Sequence, residues 1–272
     1  MKNSFFIILS LFALTSCEKE IDLDLSDQSG NIVIEGNVTD KAGPYTVKIT
    51  KSVGFSEPNQ YPAVTGAQVI LSDNTGQTET LHYIGNGMYQ TTTFYGDPGR
   101  TYTLNVKAEG KEYTAQSTMP EPVNLDGLQQ SSFKFGDKVT YTLLPLFTDP
   151  APLGNRYLFT FTINNLTKKY MNVFSDNVNN GLPNQQPLLL PNDDNKGRDH
   201  EVVVGDTIHV EMQCISTNVF TYYNALLQIS GGNGGGVTPS NPPSNISNGA
   251  LGYFSAHTLN KDSYVIQQLT TP

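Results

Sequence analysis

Apolar and polar residues alternate in a series of short runs along the chain, and turn-forming residues separate these runs. In the run YTVKIT, at residues 45–50, every second residue is Tyr, Val or Ile, which is the period of a strand with one buried face. Turn sequences at residues 73–76 and 109–110 divide two longer runs and predict two hairpins. The sequence therefore predicts a mostly β fold whose first part is an antiparallel β-sandwich.

The second part of the chain continues this pattern. Runs between residues 132 and 165 predict further strands, and residues 200–216 predict two strands that reverse near Gly205. One stretch has a different period, because apolar residues recur at helical spacing after Ser216 and Thr217, either of which can cap a helix. We expect this helical stripe to pack on the second sheet; its members are Val219, Tyr222, Tyr223, Leu226 and Leu227.

The N-terminus carries the parts of a secretory signal. Lys2 supplies a positive charge, residues 5–14 are apolar except for Ser10, and small residues follow before Cys17. The apolar run is too short to span a bilayer, which needs about 20 residues. The sequence LTSC, which ends at Cys17, resembles a lipobox, the motif after which the cysteine receives a diacylglyceryl group. We therefore expect lipid on Cys17 to anchor the protein in a membrane. The alternative is an ordinary secretory signal with an incidental cysteine.

The residues after Cys17 carry information about the membrane to which the protein is exported. The sequence KEID at residues 19–22 resembles the export signal that sends some Bacteroidetes lipoproteins to the outer face of the outer membrane. A solvated, charged tether is the alternative, and the sequence leaves both open. We expect a lipid-anchored protein of the outer membrane, with surface exposure undecided.

Charge and cysteine content narrow the classes of partner and chemistry. The formal net charge is −9, so the phosphates of nucleic acids would be repelled. The chain has 2 cysteines, and with Cys17 acylated Cys214 has no disulfide partner. Cys214 lies in an alternating run, which favours a buried small hydrophobe over a nucleophile.

Ten positions between residues 36 and 106 follow the motifs Gly-x-Val-x-Asp, Ala-x-Val, Gly-x-Tyr and Tyr-x-Leu-x-Val. They are Gly36, Val38, Asp40, Ala67, Val69, Gly87, Tyr89, Tyr102, Leu104 and Val106. In this pattern the chain resembles the carboxypeptidase-regulatory-like, transthyretin-like sandwich. Residues 44–64 depart from the pattern, because they add a strand and a Pro-containing loop before Ala67. The resemblance implies a domain that presents surfaces or spaces other modules, and it implies no catalysis.

Further motifs follow in the second part of the chain. FTDPAPLGNRYLF at residues 147–159 and NVFSDNVNNG at residues 172–181 precede a closing Pro-x-Asn-Ile-x-Asn-Gly…Gly-x-Phe signature. The signature residues are Pro243, Asn245, Ile246, Asn248, Gly249, Gly252 and Phe254. With these motifs nearly the whole mature chain resembles the Bacteroidetes lipoprotein family with domain of unknown function 4249. The resemblance implies no defined activity, and it implies a TonB-dependent outer-membrane transporter as partner.

The expected organisation has five segments. Two prolines and the lack of an apolar period mark residues 118–127 as a linker. The segments are a lipoprotein signal peptide at 1–16, an acidic tether at 17–30, a transthyretin-like β-sandwich at 31–117, the linker at 118–127, and a C-terminal β-rich domain with one main helix at 128–272.

Two motifs have some of the features of ion-binding loops. Residues 231–236, GGNGGG, lack the Lys and Ser/Thr of a phosphate-binding loop, which favours a mobile loop. Asp193, Asn195 and Asp199 alternate as calcium ligands do, but Val204 stands where the twelfth-position glutamate belongs. A polar turn is therefore favoured, and calcium binding stays open. The four histidines show no paired spacing, so we expect no catalytic residue, no cofactor and no metal.

Aromatic side chains on loops and on the helix suggest a recognition surface. The candidate partner or ligand residues are Phe55, Tyr61, Tyr222, Tyr223, Asn245 and Asn248. Each aromatic residue could equally fill the core of its own domain. The expected function is a non-catalytic accessory or ligand-capturing lipoprotein beside a TonB-dependent transporter. Two alternatives remain open: a structural or adhesive surface protein, and a hydrolase without a recognisable motif.

Overall fold

The computed structural model describes residues 29–54, 57–58, 60–135, 138–177, 180–191, 201–230 and 241–269. In these ranges the chain forms fifteen strands and one helix, and the predicted mostly β fold is confirmed. Several residues of the sequence analysis lie outside the described ranges. They are the signal peptide at 1–16, Cys17, the KEID sequence at 19–22, the tether as far as residue 28, Phe55, Asp193, Asn195, Asp199 and residues 231–236.

The first eight strands are short and joined mostly by turns. Their bounds are β1 Ile32–Thr39, β2 Thr46–Lys51, β3 Gln68–Asp73, β4 Thr78–Thr80, β5 His82–Gly85, β6 Met88–Gln90, β7 Thr101–Ala108 and β8 Lys111–Thr118.

The second part contains the remaining strands and helix α1. Their bounds are β9 Gly127–Phe135, β10 Lys138–Leu146, β11 Arg156–Ile163, β12 Tyr170–Ser175, β13 Leu188–Leu189, β14 Thr207–Cys214, α1 Thr217–Ser230 and β15 Leu251–Val265. Helix α1 begins at the predicted cap, and the predicted helix is confirmed. In the described ranges, no helix is both long and apolar enough to cross a membrane.

The described strands form one large sheet and two smaller ones. The large sheet has eight strands in the order β12-β11-β14-β15-β1-β2-β6-β5. A four-stranded sheet, β4-β3-β7-β8, and a three-stranded sheet, β13-β10-β9, complete the fold. Buried residues of β1, β2 and β15 share one apolar cluster with β3, β7 and β8, whereas β11 and β14 share another with β9 and β10. The small sheets therefore pack on one face of the large sheet, as in a β-sandwich.

Large apolar side chains fill both clusters. Tyr102 and Phe254 lie in the first, Phe159 and Phe161 in the second, and each is essentially inaccessible to water. Burying a side chain of this size stabilises a fold by about 1.5–3 kcal/mol. Buried and more exposed residues alternate in β1, β7 and β14, as expected for strands that place one face in a core.

Strand β15 belongs to both halves of the large sheet. From Leu251 to His257 it pairs in parallel with β1, and from Thr258 to Val265 it pairs antiparallel with β14. The sequence places this strand in the segment 128–272, yet half of it completes the sheet that begins at Ile32. The segment boundaries remain predictions. Strand β15 pairs with strands from both sides of the predicted linker, β1 before it and β14 after it.

Both predicted hairpins are confirmed. Strands β3 and β4 pair around residues 73–76, and β7 and β8 pair around residues 109–110. In the first turn, the Asp73 carboxylate accepts the backbone N–H groups of Thr75 and Gln77 at 2.9 Å each. Burial acts to raise the pKa of Asp73, but hydrogen bonds from Arg100, Thr75 and Gln77 outweigh it and lower that pKa. The ionised carboxylate thus holds the reversal.

The predicted hairpin near Gly205 is wrong. Residues 201–204 form no strand, and the N–H of Val202 instead donates to the carbonyl of Pro191 at 3.3 Å. Strand β14 pairs with β11 on one side and β15 on the other. The distant strand β15 therefore occupies the position that a local partner would take.

Helix α1 packs on the other face of the large sheet. Its Val219 is fully buried against Leu158 of β11 and Ile215, whereas the neighbouring residues Tyr157 and Phe159 of β11 face the inner cluster. The helix therefore lies on the face that the small sheets leave uncovered.

Candidate ligand-binding groove

A groove runs along the outer face of the large sheet, beside α1. Its floor consists of outward-facing residues of β1, β2 and β15, among them Glu35, Lys48 and Leu251. Its volume is about 450 Å³. Small-molecule sites commonly measure about 300–1,000 Å³, so the groove has the size of a ligand site.

Two tyrosines from distant parts of the chain line this groove. Tyr61 belongs to the loop after β2, and Tyr222 belongs to α1. The loop is fixed to β2, because the N–H of Lys51 donates to the carbonyl of Pro62 at 2.9 Å. We call this feature the Tyr61–Tyr222 groove.

Three tyrosines pack together on the α1 side of the groove. The Tyr222 ring centroid lies 5.0 Å from that of Tyr253 on β15 and 5.4 Å from that of Tyr223. Tyr223 and Tyr253 are 5.1 Å apart, and Asn37 Nδ2 donates to the Tyr253 hydroxyl at 3.2 Å. Such tilted and edge-to-face contacts fix ring orientation. This wall is therefore held in place without a ligand.

The surroundings of Tyr222 in the groove keep its hydroxyl neutral. Burial, followed by the nearby Glu35 carboxylate and Tyr253, raises the pKa of Tyr222 to about 12. At neutral pH the Tyr222 hydroxyl therefore keeps its proton and is able to donate a hydrogen bond.

Opposite charges meet on the floor. Glu35 of β1 and Lys48 of β2 are direct register partners, so their side chains leave the sheet next to each other on one face. Glu35 is half-buried and Lys48 is exposed. A carboxylate only accepts hydrogen bonds, whereas an ammonium group only donates them. The groove thus offers a hydrogen-bond acceptor and a hydrogen-bond donor to the same ligand.

The structure brings some of the predicted surface residues together and separates others. Tyr61 and Tyr222 line the groove, and Tyr223 lies behind Tyr222. Asn245 instead bonds to the backbone of Phe254, and Asn248 donates to the carbonyl of Glu112 at 3.3 Å. Neither asparagine lines the groove. The hydrogen bonds of both asparagines stabilise the backbone of the fold.

Sequence reasoning did not single out Glu35 and Lys48. The available signal was the alternation of β1 and β2, which places both residues on the face opposite the buried Ile34, Val47 and Ile49. Polar residues at such positions are common on solvated strands, so the pattern alone did not distinguish them.

A second polar cluster lies inside the protein, where β15 passes from β1 to β14. His257 Nδ1 is 3.0 Å from Ser255 Oγ, and His257 exposes 4% of its surface. Burial lowers the pKa of His257 to about 4, against a weaker opposing effect of Asp40 and Glu211. This neutral, inaccessible pair resembles a catalytic Ser–His pair in composition only, because a substrate cannot reach it.

Cys214 lies near this cluster, opposite Thr258 in the register of β14 and β15. It exposes 3% of its surface, so the prediction of a buried small hydrophobe is confirmed. Burial raises the pKa of its thiol, which suppresses nucleophilic reactivity. Among the described residues, no group of three or more His, Cys, Asp or Glu side chains is arranged to hold a metal ion.

The fold and groove define a mostly β protein of the sandwich class with a lateral ligand-sized groove. The chain belongs to the family described as "Domain of unknown function (DUF4249)", whose model matches residues 18–263. No curated protein matches the chain. Among solved structures, it is similar to a two fibronectin type III domain segment from chicken tenascin, with 10% identity and a TM-score of 0.24. The alignment covers 89% of this chain and 100% of that one.

Proposed function

We propose that the protein is a lipid-anchored, non-catalytic ligand-capturing protein of the outer membrane that acts beside a TonB-dependent transporter. The observation that carries the capturing role is the Tyr61–Tyr222 groove, which joins aromatic walls to a floor with both hydrogen-bond functions. Among the described residues of its lining, the titratable side chains are Glu35, Lys48 and the two tyrosines. This set suits recognition, because orientation of a small ligand needs a few polar groups in a partly apolar site.

The proposed anchor rests on the sequence. The lipobox that ends at Cys17 and the Bacteroidetes-like export signal at residues 19–22 support attachment by lipid at the outer membrane. Each buried methylene of an acyl chain contributes about 0.8 kcal/mol to membrane affinity, so several chains give stable attachment.

A cysteine substitution tests the anchor. The Cys17→Ala variant is expected in the soluble or precursor fraction, whereas the Cys214→Ala variant, which alters only a buried thiol, stays with the membrane. Mass spectrometry of the mature protein should find an acylated Cys17 at its N-terminus. An unmodified Cys17, or retention of residues 1–16, would contradict the proposed anchor.

Affinity purification tests the partner. After mild detergent extraction, the tagged lipoprotein should retain a TonB-dependent transporter in near-stoichiometric amount. Recovery of no transporter, together with binding to extracellular matrix material, would favour a structural or adhesive surface protein instead.

A further inference from the structure

We propose that the Tyr61–Tyr222 groove binds an uncharged saccharide of two or three rings. This inference rests on the proposed capturing function and names its ligand class. Four properties of the groove carry it: the pairing of β1 and β2 on both sides, the balanced charge of the floor, the aromatic walls and the size.

Two of the three floor strands, β1 and β2, offer side chains and no free edge. Strand β1 is paired on both sides, with β15 and β2, and β2 is paired with β1 and β6. Beyond β6, the loop continues the pairing of β2, since the N–H of Val64 donates to the carbonyl of Ile49 at 3.0 Å. An extended peptide binds a sheet by adding a strand to an exposed edge. That mode is not available along β1 and β2, and at the outer edge of β15 the N–H and C=O of Phe254 are already bonded to Asn245. We therefore expect the ligand to be recognised by side chains.

The charge of the floor is balanced. Among the described residues that line the groove, Lys48 is the one cationic side chain and Glu35 is the one carboxylate. Phosphate ligands are bound by an excess of positive charge, by arginine forks or by helix N-termini. A balanced donor and acceptor pair instead matches hydroxyl groups, since each hydroxyl both donates and accepts.

The tyrosines supply the apolar part of the recognition. Tyr61 exposes 52% of its surface, so its ring is available to a ligand. Tyr222 is braced by Tyr223 and Tyr253, so its ring is already oriented. A pyranose has an apolar C–H face and a rim of hydroxyls. The electron-rich face of an aromatic ring attracts the slightly positive C–H groups, while the polar residues of the floor bind the rim.

The lining contains a further amide, and the volume sets the length of the ligand. The exposed Asn241, which precedes β15, adds an amide to the lining, whereas Thr50 of β2 is only 6% exposed. The volume of about 450 Å³ falls within the range of sites for drug-sized ligands, about 300–1,000 Å³. Two or three pyranose rings fit this size.

The test uses the detergent-solubilised mature lipoprotein on an array of immobilised neutral di- to tetrasaccharides from glucans, xylans, mannans, galactans and chitin. Zwitterionic dipeptides are titrated in parallel by calorimetry. We expect at least one neutral saccharide to bind and the dipeptides not to bind. Failure of every saccharide on the array would overturn the assignment.

Variants localise the binding. Tyr61→Ala should weaken saccharide binding by about tenfold or more, which corresponds to about 1.4 kcal/mol, whereas Tyr61→Phe should retain most of it. Glu35→Gln should weaken binding, because the amide offers a donor where a carboxylate acceptor stood. The matched control is Tyr95→Ala, which removes a tyrosine of similar exposure, 51%, outside the groove and should leave affinity unchanged.

The outcomes of these binding experiments distinguish a wrong ligand class from a wrong capturing function. Saccharide binding that is insensitive to Tyr61→Ala would overturn the groove as the site. Dipeptide binding that Tyr61→Ala abolishes would overturn the saccharide while leaving the groove as a capture site. Binding of neither probe would overturn both proposals. Urea unfolding midpoints equal to that of the parent show that each variant folds.

Discussion

The side-chain amide of Asn245 completes the backbone pairing of Phe254. Its Nδ2 donates to the Phe254 carbonyl at 2.7 Å, and its Oδ1 accepts the Phe254 N–H at 2.9 Å. Strand β14 does not reach this part of β15, and Ser117 Oγ accepts the next N–H on the same side, that of Ala256, at 2.9 Å. Two side chains therefore replace a missing strand along this edge.

Replacing Asn245 should destabilise the protein. Asn245→Ala leaves the N–H and C=O of the buried Phe254 without partners, which we expect to lower the free energy of unfolding by about 1–3 kcal/mol. The measurement is urea unfolding followed by circular dichroism. The control Asn218→Ala changes an exposed asparagine of α1 and should alter stability by less than about 0.5 kcal/mol. Equal effects of the two substitutions would contradict the role of Asn245.

Gly252 should tolerate no side chain. Its φ is +92°, and a Cβ there would lie 2.1 Å from the carbonyl oxygen of Ile34. We expect Gly252→Ala to lower stability by more than about 3 kcal/mol, because steric overlap adds to a left-handed backbone cost of about 1–2 kcal/mol.

Gly249 provides the matched control for this substitution. Its φ is +73°, but a Cβ there would meet no atom within 4 Å. Gly249→Ala should therefore show the backbone cost alone. If thermal unfolding gives the same loss for both variants, the close approach of Gly252 to Ile34 does not limit the fold.

His257 should make the protein sensitive to mild acid. The unfolded chain binds a proton on this histidine with a pKa near 6.5, whereas burial lowers the folded pKa to about 4. The contribution is present above about pH 6.5 and is lost as the pH falls toward 4. Between pH 7.5 and pH 5 the loss should be about 2 kcal/mol.

Comparison of pH slopes isolates this residue. His257→Gln removes the titrating ring, so urea unfolding should show a smaller fall in stability between pH 7.5 and pH 5 than in the parent. The slope is compared rather than the absolute stability, because the substitution also removes the contact with Ser255. An unchanged slope would assign the acid sensitivity to other groups.

Cys214 should resist alkylation in the folded protein. Burial raises the pKa of its thiol, so the reactive thiolate is scarce and the reagent cannot reach it. Iodoacetamide at pH 7.5 should leave the Cys214 peptide unmodified, and the same treatment in 8 M urea (roughly the concentration that unfolds most small proteins) should modify it fully. Rapid native alkylation, detected by mass spectrometry, would show that this part of the core opens readily.

Local patterns predicted the elements that local chemistry determines. The turns at residues 73–76 and 109–110 and the start of α1 at Thr217 follow from turn residues, capping and period. The hairpin predicted near Gly205 is wrong, because a period of two does not say which strand is the partner. The partner of β14 is the distant β15, and its pairing depends on tertiary structure.

The groove shows the same limit. Tyr61 and Tyr222 were each identifiable as aromatic recognition residues, but the chain separates them by more than half its length and only the fold brings them to one site. Asn245 and Asn248 have the composition of a binding surface, and their hydrogen bonds instead serve the backbone of β15 and β8. Side-chain identity does not reveal whether an amide serves a ligand or the fold.

An unbroken β15 has a consequence for how a ligand would enter. The strand continues from β1 to β14, so a rotation of one half against the other would have to disrupt its hydrogen bonds. Tyr61 is attached to one half and α1 to the other, so the continuous strand opposes a change in the distance between the two walls. We therefore expect binding without a closing movement, so that the entropy of arranging the two walls is lost on folding rather than on association.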